Sequence, residues 1–181
     1  MTMKPSQNMY TETLLWTLGE EVGRKMPQAN GNRSRTSSEL GIMAVRDFMK
    51  QAGAADDSFM QYDGSGLSRH NLVSPDSVIA IYDYMGKRSK FSQAWRESLT
   101  IGGVDGTLRN RFKGTRGEGN VRGKTGTINQ VSALSGYLMT TGGEEVIFSA
   151  LVNGIPETRT RVALIDELVM MLVNFNGRVA E

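Results

Sequence analysis

Three consecutive segments of β-strand character in the second half of the chain limit the folds it can adopt. They cover Asn120–Thr127, Val131–Thr140 and Glu145–Asn153. Thr141-Gly142-Gly143 between the last two is a hairpin signal, so these strands are expected to pair antiparallel. Helical patterning precedes them, and a last helix over Pro156–Phe175 follows. This order predicts an α+β arrangement of helices and a meander, not a βαβ fold.

Helices are predicted from apolar spacing and from capping residues. A first helix covers Asn8–Lys25, and a polar loop over Gln28–Arg35 follows it. Thr36 with Glu39 forms a capping box for a second helix, and Ser74 followed by Pro75 begins a third. In the first helix, five apolar residues fall near one face: Met9, Leu14, Leu15, Leu18 and Val22. In the last helix, five are expected on the buried side: Val162, Ile165, Leu168, Val169 and Leu172.

Composition excludes several classes of protein. The chain has 181 residues, a net charge of +2, no cysteine and one histidine, His70. A disulfide framework, a thiolate zinc site and a His-rich metal site are therefore excluded. The basic residues form no stripe with interleaved aromatic side chains, so nucleic-acid binding is not expected. The length suits a single domain, and neither a metal nor a cofactor is expected.

The sequence contains no membrane-spanning segment, because it has no run of about 18 apolar residues. Its first residues, Met1-Thr2-Met3-Lys4-Pro5, lack the apolar centre of a signal peptide. Either the protein is cytosolic, or its natural N-terminus lies upstream of this chain.

Two short motifs carry candidate chemistry. Lys124-Thr125-Gly126-Thr127 ends a predicted strand, and Ser6-Gln7-Asn8 precedes the first helix. The first motif alone is equally consistent with a strand that ends in a glycine turn. The second alone is more often an N-cap, since serine and asparagine both cap helices well. Together, K-T-G and S-x-N are two of the three motifs of serine acyl-transfer enzymes of the penicillin-binding group.

Longer stretches in the same order make the combination specific. They are Asp63-Gly64-Ser65-Gly66-Leu67-Ser68-Arg69, Gly103-Val104-Asp105-Gly106-Thr107-Leu108, and Gly119-Asn120-Val121-Arg122-Gly123 running into Lys124. With these motifs the chain resembles the class C, low-molecular-mass penicillin-binding proteins, which are D-Ala-D-Ala carboxypeptidases and endopeptidases. The similarity runs from about Met3 to Asn153.

The resemblance implies a β-lactamase/transpeptidase-like fold, with an antiparallel sheet packed with helices. It implies that residues 1–181 are the C-terminal part of a penicillin-binding transpeptidase-like domain. The third family motif is S-x-x-K, and no serine of this chain is followed by lysine at the third position. We therefore expect an incomplete fold without the N-terminal strands and the nucleophile helix, and a chain that is inactive alone.

The resemblance also assigns roles within acyl transfer at the D-Ala-D-Ala bond of peptidoglycan stem peptides. Ser6, Asn8 and Lys124 would be catalytic. Ser6 would relay a proton to the leaving nitrogen, and Lys124 would place a positive charge beside that hydroxyl and help to hold the substrate carboxylate. Asn8 would bind the substrate amide side chain and orient the lysine of the missing S-x-x-K motif. Thr125, Gly126 and Thr127 would bind the substrate backbone and its terminal carboxylate. The Thr127 amide would also form half of the oxyanion hole.

Three further residues have two interpretations each. Arg69 would bind a carboxylate of the stem-peptide side chain, or would be a surface arginine that contacts loop carbonyls. Asp63 and Ser65 are expected to form turns rather than to act in catalysis.

The expected partners are a stem peptide ending in D-Ala-D-Ala and, for the complete protein, β-lactams. The expected location is the periplasm or the extracytoplasmic cell envelope. The alternative function is a non-catalytic module that binds peptidoglycan or a partner protein.

Overall fold

A computed structural model describes residues 2–27 and 35–178. The loop predicted over Gln28–Arg35 lies outside the described residues, except for Arg35. The chain forms two compact units. We call Thr2 and Gln7–Tyr84 the helical unit, and Met3–Ser6 together with the chain from Met85 onward the sheet unit. The expectation of a single domain stays a prediction.

The described residues of the helical unit form three α-helices and a small sheet. Its elements are α1 (Asn8–Glu21), α2 (Ser37–Ala52), the antiparallel strands β1 (Phe59–Met60) and β2 (Leu72–Val73), and α3 (Pro75–Asp83). The predicted helix starts are confirmed, because Thr36 and Glu39 form the capping box of α2 and the Ser74 side chain accepts from the Ser77 amide. A short 3₁₀ turn, Gly23–Lys25, replaces the predicted last turn of α1.

The apolar face of α1 is buried only in part. Three of its five side chains are exposed: Met9, Leu14 and Val22. α1 instead approaches α2 through Leu15 and glycine. A Cβ added to Gly19 would lie 1.9 Å from the Ser37 carbonyl oxygen, and one added to Gly41 would lie 2.2 Å from the Leu15 carbonyl oxygen. The two backbones are therefore too close for any side chain at these positions.

The sheet unit is built on a four-stranded antiparallel sheet with strand order β3-β4-β5-β6. Its elements are α4 (Ser92–Ser98), β3 (Thr100–Ile101), β4 (Arg122–Ile128), β5 (Val131–Met139), β6 (Glu145–Asn153) and α5 (Thr158–Val173). The three predicted strands and the last helix are confirmed. β3 was not predicted, because two residues leave no periodic signal.

α5 packs on one face of this sheet and closes the core. The buried core side chains are Leu108, Phe112, Val121, Leu134, Leu138, Phe148, Ala150, Ile165, Val169 and Val173. The prediction for Leu168 was wrong, since its side chain is 47% exposed on the outer side of α5. Arg161, near the start of the helix, is buried instead. Its guanidinium donates to the Ser132 hydroxyl at 3.0 Å and to the Pro156 carbonyl at 2.9 Å.

The opposite face of the sheet carries aromatic and charged contacts. The Trp95 indole of α4 donates to the Tyr137 hydroxyl at 2.9 Å, and the Arg96 guanidinium lies 4.3 Å from the centre of the same ring. Arg96 also pairs with Glu145 at the start of β6. These contacts attach α4 to β5 and β6.

β6 ends the strand order, so among the described residues its outer edge has no strand partner. In the described part of the chain, no helix is both long enough and apolar enough to cross a bilayer.

Candidate active site

β4 places Lys124 on the face of the sheet that lies away from α5. Lys124 is paired with Ser135 of β5, and Ser135 is hydrogen-bonded to Ser149 of β6 at 2.9 Å. Directly opposed residues of an antiparallel pair share a face, and residues two apart along a strand do so as well. Lys124 therefore shares its face with Tyr137 and lies opposite the face that carries Leu138.

The Lys124 ammonium contacts two oxygen atoms. Nζ donates to the Ser6 hydroxyl at 2.8 Å and to the Thr125 carbonyl at 2.7 Å. The side chain is half-buried, and this burial lowers the pKa of Lys124 below its ordinary value. Desolvation disfavours the charged form of an amine, so the fold makes this lysine a better proton donor than an exposed lysine.

Ser6 reaches Lys124 from a tight turn at the start of the chain. Its amide donates to the Met3 carbonyl at 3.2 Å, and its φ of 57° lies in the left-handed region, which serine rarely adopts. The alternative that Ser6 or Asn8 caps α1 is wrong, because Gln7 occupies the N-cap position and no side chain caps the helix. The Ser6 hydroxyl instead accepts the hydrogen bond from Lys124.

Thr125, Gly126 and Thr127 continue β4 beyond its contact with β3. β3 pairs only with Arg122 and Gly123, so the following residues have no β3 partner along the outer edge. The alternative that Gly126 ends the strand in a turn is wrong, because β4 continues to Ile128. Gly126 and Thr127 are exposed, and the Thr125 hydroxyl donates to the Thr107 hydroxyl at 2.8 Å.

Three residues at this site were missed in the role assignment: Lys4, Asp105 and Thr107. Lys4 forms an ion pair with Asp105, and Thr107 contacts Thr125 as described above. The sequence feature that could have indicated Asp105 and Thr107 is the motif Gly103–Leu108, to which no chemical role was assigned. Its acid and its hydroxyl contact the segments that hold Ser6 and Thr125.

The remaining predicted site residues, Asn8 and Arg69, belong to the helical unit. Asn8 is the first residue of α1 and is exposed. Arg69 is exposed in a turn that is closed by a hydrogen bond of 3.2 Å from the Asn71 amide to the Ser68 carbonyl. Among the described residues, no contact selects between the two interpretations of Arg69.

The loop before Arg69 is held by side chains. Asp63 accepts from the amides of Gly66 and Ser68, each at 2.7 Å, and Ser65 accepts from the Leu67 amide. Burial raises the pKa of Asp63, but hydrogen bonds from Asn71 and from these amides lower it by a larger amount. The pKa of Asp63 is therefore below its ordinary value. The prediction that Asp63 and Ser65 form turns is confirmed. Glu12 of α1 also accepts from the Gly64 amide at 2.7 Å, a contact without a sequence signal.

The geometry around Lys124 suits proton transfer and anion binding. An ammonium in contact with a hydroxyl can supply a proton through that hydroxyl to a leaving group. The adjacent threonine hydroxyls can donate to a carboxylate, and such charge-assisted hydrogen bonds are stronger than neutral ones. In the described residues, no group of three or more His, Asp or Glu side chains is placed to bind a metal ion.

Comparison with known proteins gives a consistent result. The profile of the D-Ala-D-Ala carboxypeptidase 3 (S13) family matches residues 1–174. A D-alanyl-D-alanine carboxypeptidase from Actinomadura sp. is 34% identical over an alignment of 183 positions that covers 98% of this chain and 32% of that protein. The D-alanyl-D-alanine carboxypeptidase DacB from Haemophilus influenzae is 30% identical over an alignment of 178 positions that covers 95% of this chain and 35% of that protein. The chain thus spans about a third of the length of these relatives.

Solved structures confirm the predicted fold. Penicillin binding protein 4 (dacB) from Haemophilus influenzae, complexed with a novel β-lactam, superimposes with a TM-score of 0.79 and 28% identity. The match covers 96% of this chain and 40% of that one. The helices and antiparallel sheet therefore form part of a β-lactamase/transpeptidase-like fold.

Proposed function

Because this chain belongs to the D-Ala-D-Ala carboxypeptidase 3 (S13) family, we propose that it contributes Ser6 and Lys124 to a serine-type carboxypeptidase or endopeptidase site. The substrate is a peptidoglycan stem peptide that ends in D-Ala-D-Ala, and residues 1–181 are the C-terminal part of the transpeptidase-like domain. The observation that carries the proposal is the 2.8 Å hydrogen bond between Lys124 Nζ and Ser6 Oγ, which joins the S-x-N and K-T-G motifs.

The proposed reaction is acyl transfer through a covalent intermediate. A serine hydroxyl attacks the carbonyl of the penultimate D-Ala, the terminal D-Ala leaves as an amine, and water hydrolyses the acyl-enzyme. The departing nitrogen needs a proton. The Ser6 hydroxyl relays one to it, with Lys124 as its hydrogen-bonded neighbour. The lowered pKa of Lys124 favours this transfer, since it makes the ammonium a stronger acid.

The β4 edge is proposed to bind the substrate's terminal carboxylate and backbone. The Thr127 hydroxyl and the Thr125 hydroxyl, which turns from Thr107 to the ligand, donate to the carboxylate, and the Thr127 amide forms half of the oxyanion hole. Gly126 supports this assignment, because the fold itself does not require glycine there. A Cβ added to Gly126 would meet only the Ala133 Cβ at 3.6 Å, an ordinary contact distance. A ligand lying along the strand explains the missing side chain.

Asn8 and Arg69 are also proposed to act on the substrate. Asn8 binds the substrate amide side chain and orients the lysine of the S-x-x-K motif, and Arg69 binds a carboxylate of the stem-peptide side chain through two parallel hydrogen bonds. These two roles rest on the family motifs in which both residues occur.

The nucleophile is proposed to come from another part of the protein. None of the serines in this chain is followed by lysine at the third position. We therefore propose that an S-x-x-K segment outside these residues supplies the acylated serine, that the chain alone turns over no substrate, and that the complete protein acts in the extracytoplasmic cell envelope and reacts with β-lactams.

Acylation by a fluorescent penicillin tests the proposal. The chain is joined to the part of the Haemophilus influenzae carboxypeptidase DacB that it does not match, and covalent labelling is followed on denaturing gels. The joined protein is expected to be labelled, and this chain alone is expected to remain unlabelled. Lys124→Ala and Ser6→Ala in the joined protein are expected to slow labelling, whereas Arg159→Ala on the exposed side of α5 is a matched control. A folded joined protein that never reacts contradicts the proposal.

The lack of an S-x-x-K motif favours a second candidate, a non-catalytic peptidoglycan- or partner-binding module. This function predicts that the chain alone binds a diaminopimelate stem peptide without turnover. Calorimetric titration of the isolated chain distinguishes the two. Binding that is abolished by Arg69→Ala supports the module, and no binding to a folded chain contradicts it.

A further inference from the structure

The loop between β3 and the short 3₁₀ turn at Gly106–Leu108 is tied to the start of the chain through Asp105. One oxygen of the Asp105 carboxylate accepts from the Ile101 amide at 2.8 Å, which fixes the side chain to the end of β3. The other oxygen pairs with Lys4 Nζ at 2.5 Å. Asp105 therefore bridges the sheet and the turn Met3–Ser6.

Gly106 provides a second, independent contact with the same turn. A Cβ added there would lie 2.7 Å from the Lys4 carbonyl oxygen and 2.5 Å from the Thr100 methyl group, and the residue has a φ of +52°. Both the space and the backbone conformation require glycine. The loop backbone thus lies directly against the Lys4 backbone, while the neighbouring carboxylate binds the Lys4 side chain.

Ser6 lies two residues after Lys4 and has an unfavourable backbone conformation. A non-glycine residue with φ near +57° persists only when its surroundings hold it there, since the left-handed region is strained for side chains. Within the turn, the Ser6 amide donates to the Met3 carbonyl. The contacts of Asp105 and Gly106 with Lys4 attach this turn to the sheet that carries Lys124.

We propose that Asp105 is a positioning residue of the candidate site, and that its ion pair with Lys4 holds the Ser6 hydroxyl on the Lys124 amine. This inference rests on the proposed function, which gives the contact between Ser6 and Lys124 its catalytic role. The four residues Lys4, Ser6, Asp105 and Lys124 all lie within the sheet unit. The same loop also contacts the other side of the site, because Thr107 accepts the hydrogen bond from Thr125.

The charge state of Asp105 suits this role. Burial raises the pKa of its carboxyl group, but hydrogen bonds from Lys4 and the Ile101 amide, with the charges of Lys4 and Arg122, lower it below its ordinary value. The carboxylate is therefore ionised at neutral pH, where it can pair with the Lys4 ammonium.

Lysine side-chain NMR of the full chain tests the proposal without any need for catalysis. The ¹³Cε resonance of Lys124, assigned by its loss in Lys124→Arg, is followed as a function of pH. Asp105→Asn keeps an oxygen for the Ile101 amide but removes the charge, and Lys4→Met removes the other partner. Each is expected to shift the Lys124 titration upward, toward the ordinary lysine value of about 10.4, because water reaches the amine once the turn detaches.

Two controls separate positioning from general stability. Lys4→Arg keeps the ion pair and is expected to retain the wild-type titration. Asp166→Asn breaks the ion pair of Asp166 with Arg111 in the same unit and is expected to leave Lys124 unchanged. The Asp105→Asn, Lys4→Met double variant is expected to shift the titration no further than either single change, because both remove one interaction.

An unchanged Lys124 titration in folded Asp105→Asn overturns the proposal. If that variant fails to fold, Lys4→Met decides in the same way, because it removes only a partly exposed amine. The result is separable from the proposed function. Loss of penicillin labelling in the joined protein concerns the catalytic assignment, whereas the NMR titration concerns only the contact between Ser6 and Lys124.

Discussion

Lys124 has an environment that stability alone does not explain. Its ammonium is half-buried and contacts a hydroxyl and a carbonyl, neither of which is an anion. Long basic side chains in a stable surface usually keep the charged group in water or beside a carboxylate. Burial instead lowers the pKa of this amine, which costs folding free energy while the amine is protonated. Such a cost is typical of functional sites.

Replacement of Lys124 by Met is therefore expected to leave the sheet unit as stable as before, or to stabilise it by up to ~1 kcal/mol. The lowered pKa of Lys124 also fixes the direction in which its contribution to stability changes with pH. The unfolded chain binds the proton more tightly, so the lysine's contribution to stability rises as pH increases through the folded pKa toward 10.5. Lys124→Met is expected to lack this rise. Urea unfolding is followed by Trp95 fluorescence in a Trp16→Phe background, and a clear loss of stability would show that the lysine is structural.

Gly126 gives a second prediction at the residue scale. Because a Cβ there meets only ordinary contacts, Gly126→Ala is expected to change the unfolding free energy by less than ~0.5 kcal/mol. Penicillin labelling of the joined protein is expected to fall, since the methyl group occupies the ligand's path. Gly136→Ala on the neighbouring strand is the contrast, because its Cβ would lie 2.1 Å from the Arg122 carbonyl. That variant is expected to lose stability, and equal behaviour of the two would contradict the assignment.

At the scale of helices and strands, local signals were sufficient for most elements. The capping box at Thr36 and the Ser74-Pro75 start depend on residues a few positions apart, and the structure contains both. The face that α1 buries was not predictable, because it depends on the approach of α2 to Gly19 and not on apolar spacing.

The candidate site was predictable only in part, for a related reason. The sequence places Ser6 before a helix and Lys124 in a strand, but these positions are 118 residues apart, so their contact depends on the tertiary fold. The two-residue strand β3 and the contact of Asp105 with Lys4 also depend on the tertiary fold. The family resemblance supplied what periodicity could not, namely which distant motifs act together.

The contact between α1 and α2 yields a prediction opposite to helix propensity. Alanine is a better helix former than glycine by ~1 kcal/mol, so Gly41→Ala would stabilise an isolated α2. In the helical unit the new Cβ would lie 2.2 Å from the Leu15 carbonyl oxygen, so the helices must separate and the variant is expected to be less stable. Trp16 fluorescence during urea unfolding, in a Trp95→Phe background, measures the change. Arg46→Ala, at an exposed position of α2, is the control, and a stabilised Gly41→Ala would show that the helices can shift apart freely.

For the whole molecule, the open edge of the sheet is the main hazard. β6 is at the end of the strand order, and along Glu145–Asn153 its outer edge has no strand partner among the described residues. Unpaired strand edges are templates for pairing with another chain. The net charge of +2 gives little repulsion between copies. Since the chain spans about a third of its curated relatives, the edge is expected to be covered by further strands in a complete protein.

The isolated chain is therefore expected to self-associate through β6, as a concentration-dependent increase in mass in sedimentation velocity. Leu151→Lys places a charge on β6, on the face opposite α5, and is expected to weaken association, because charged residues on edge strands oppose edge-to-edge pairing. Leu168→Lys adds the same charge on the exposed side of α5 and is expected to leave association unchanged. If only Leu168→Lys restores a monomer, the exposed face of α5 is the contact surface. A chain that remains monomeric at every concentration contradicts the expectation that an uncovered β6 edge controls its solution behaviour.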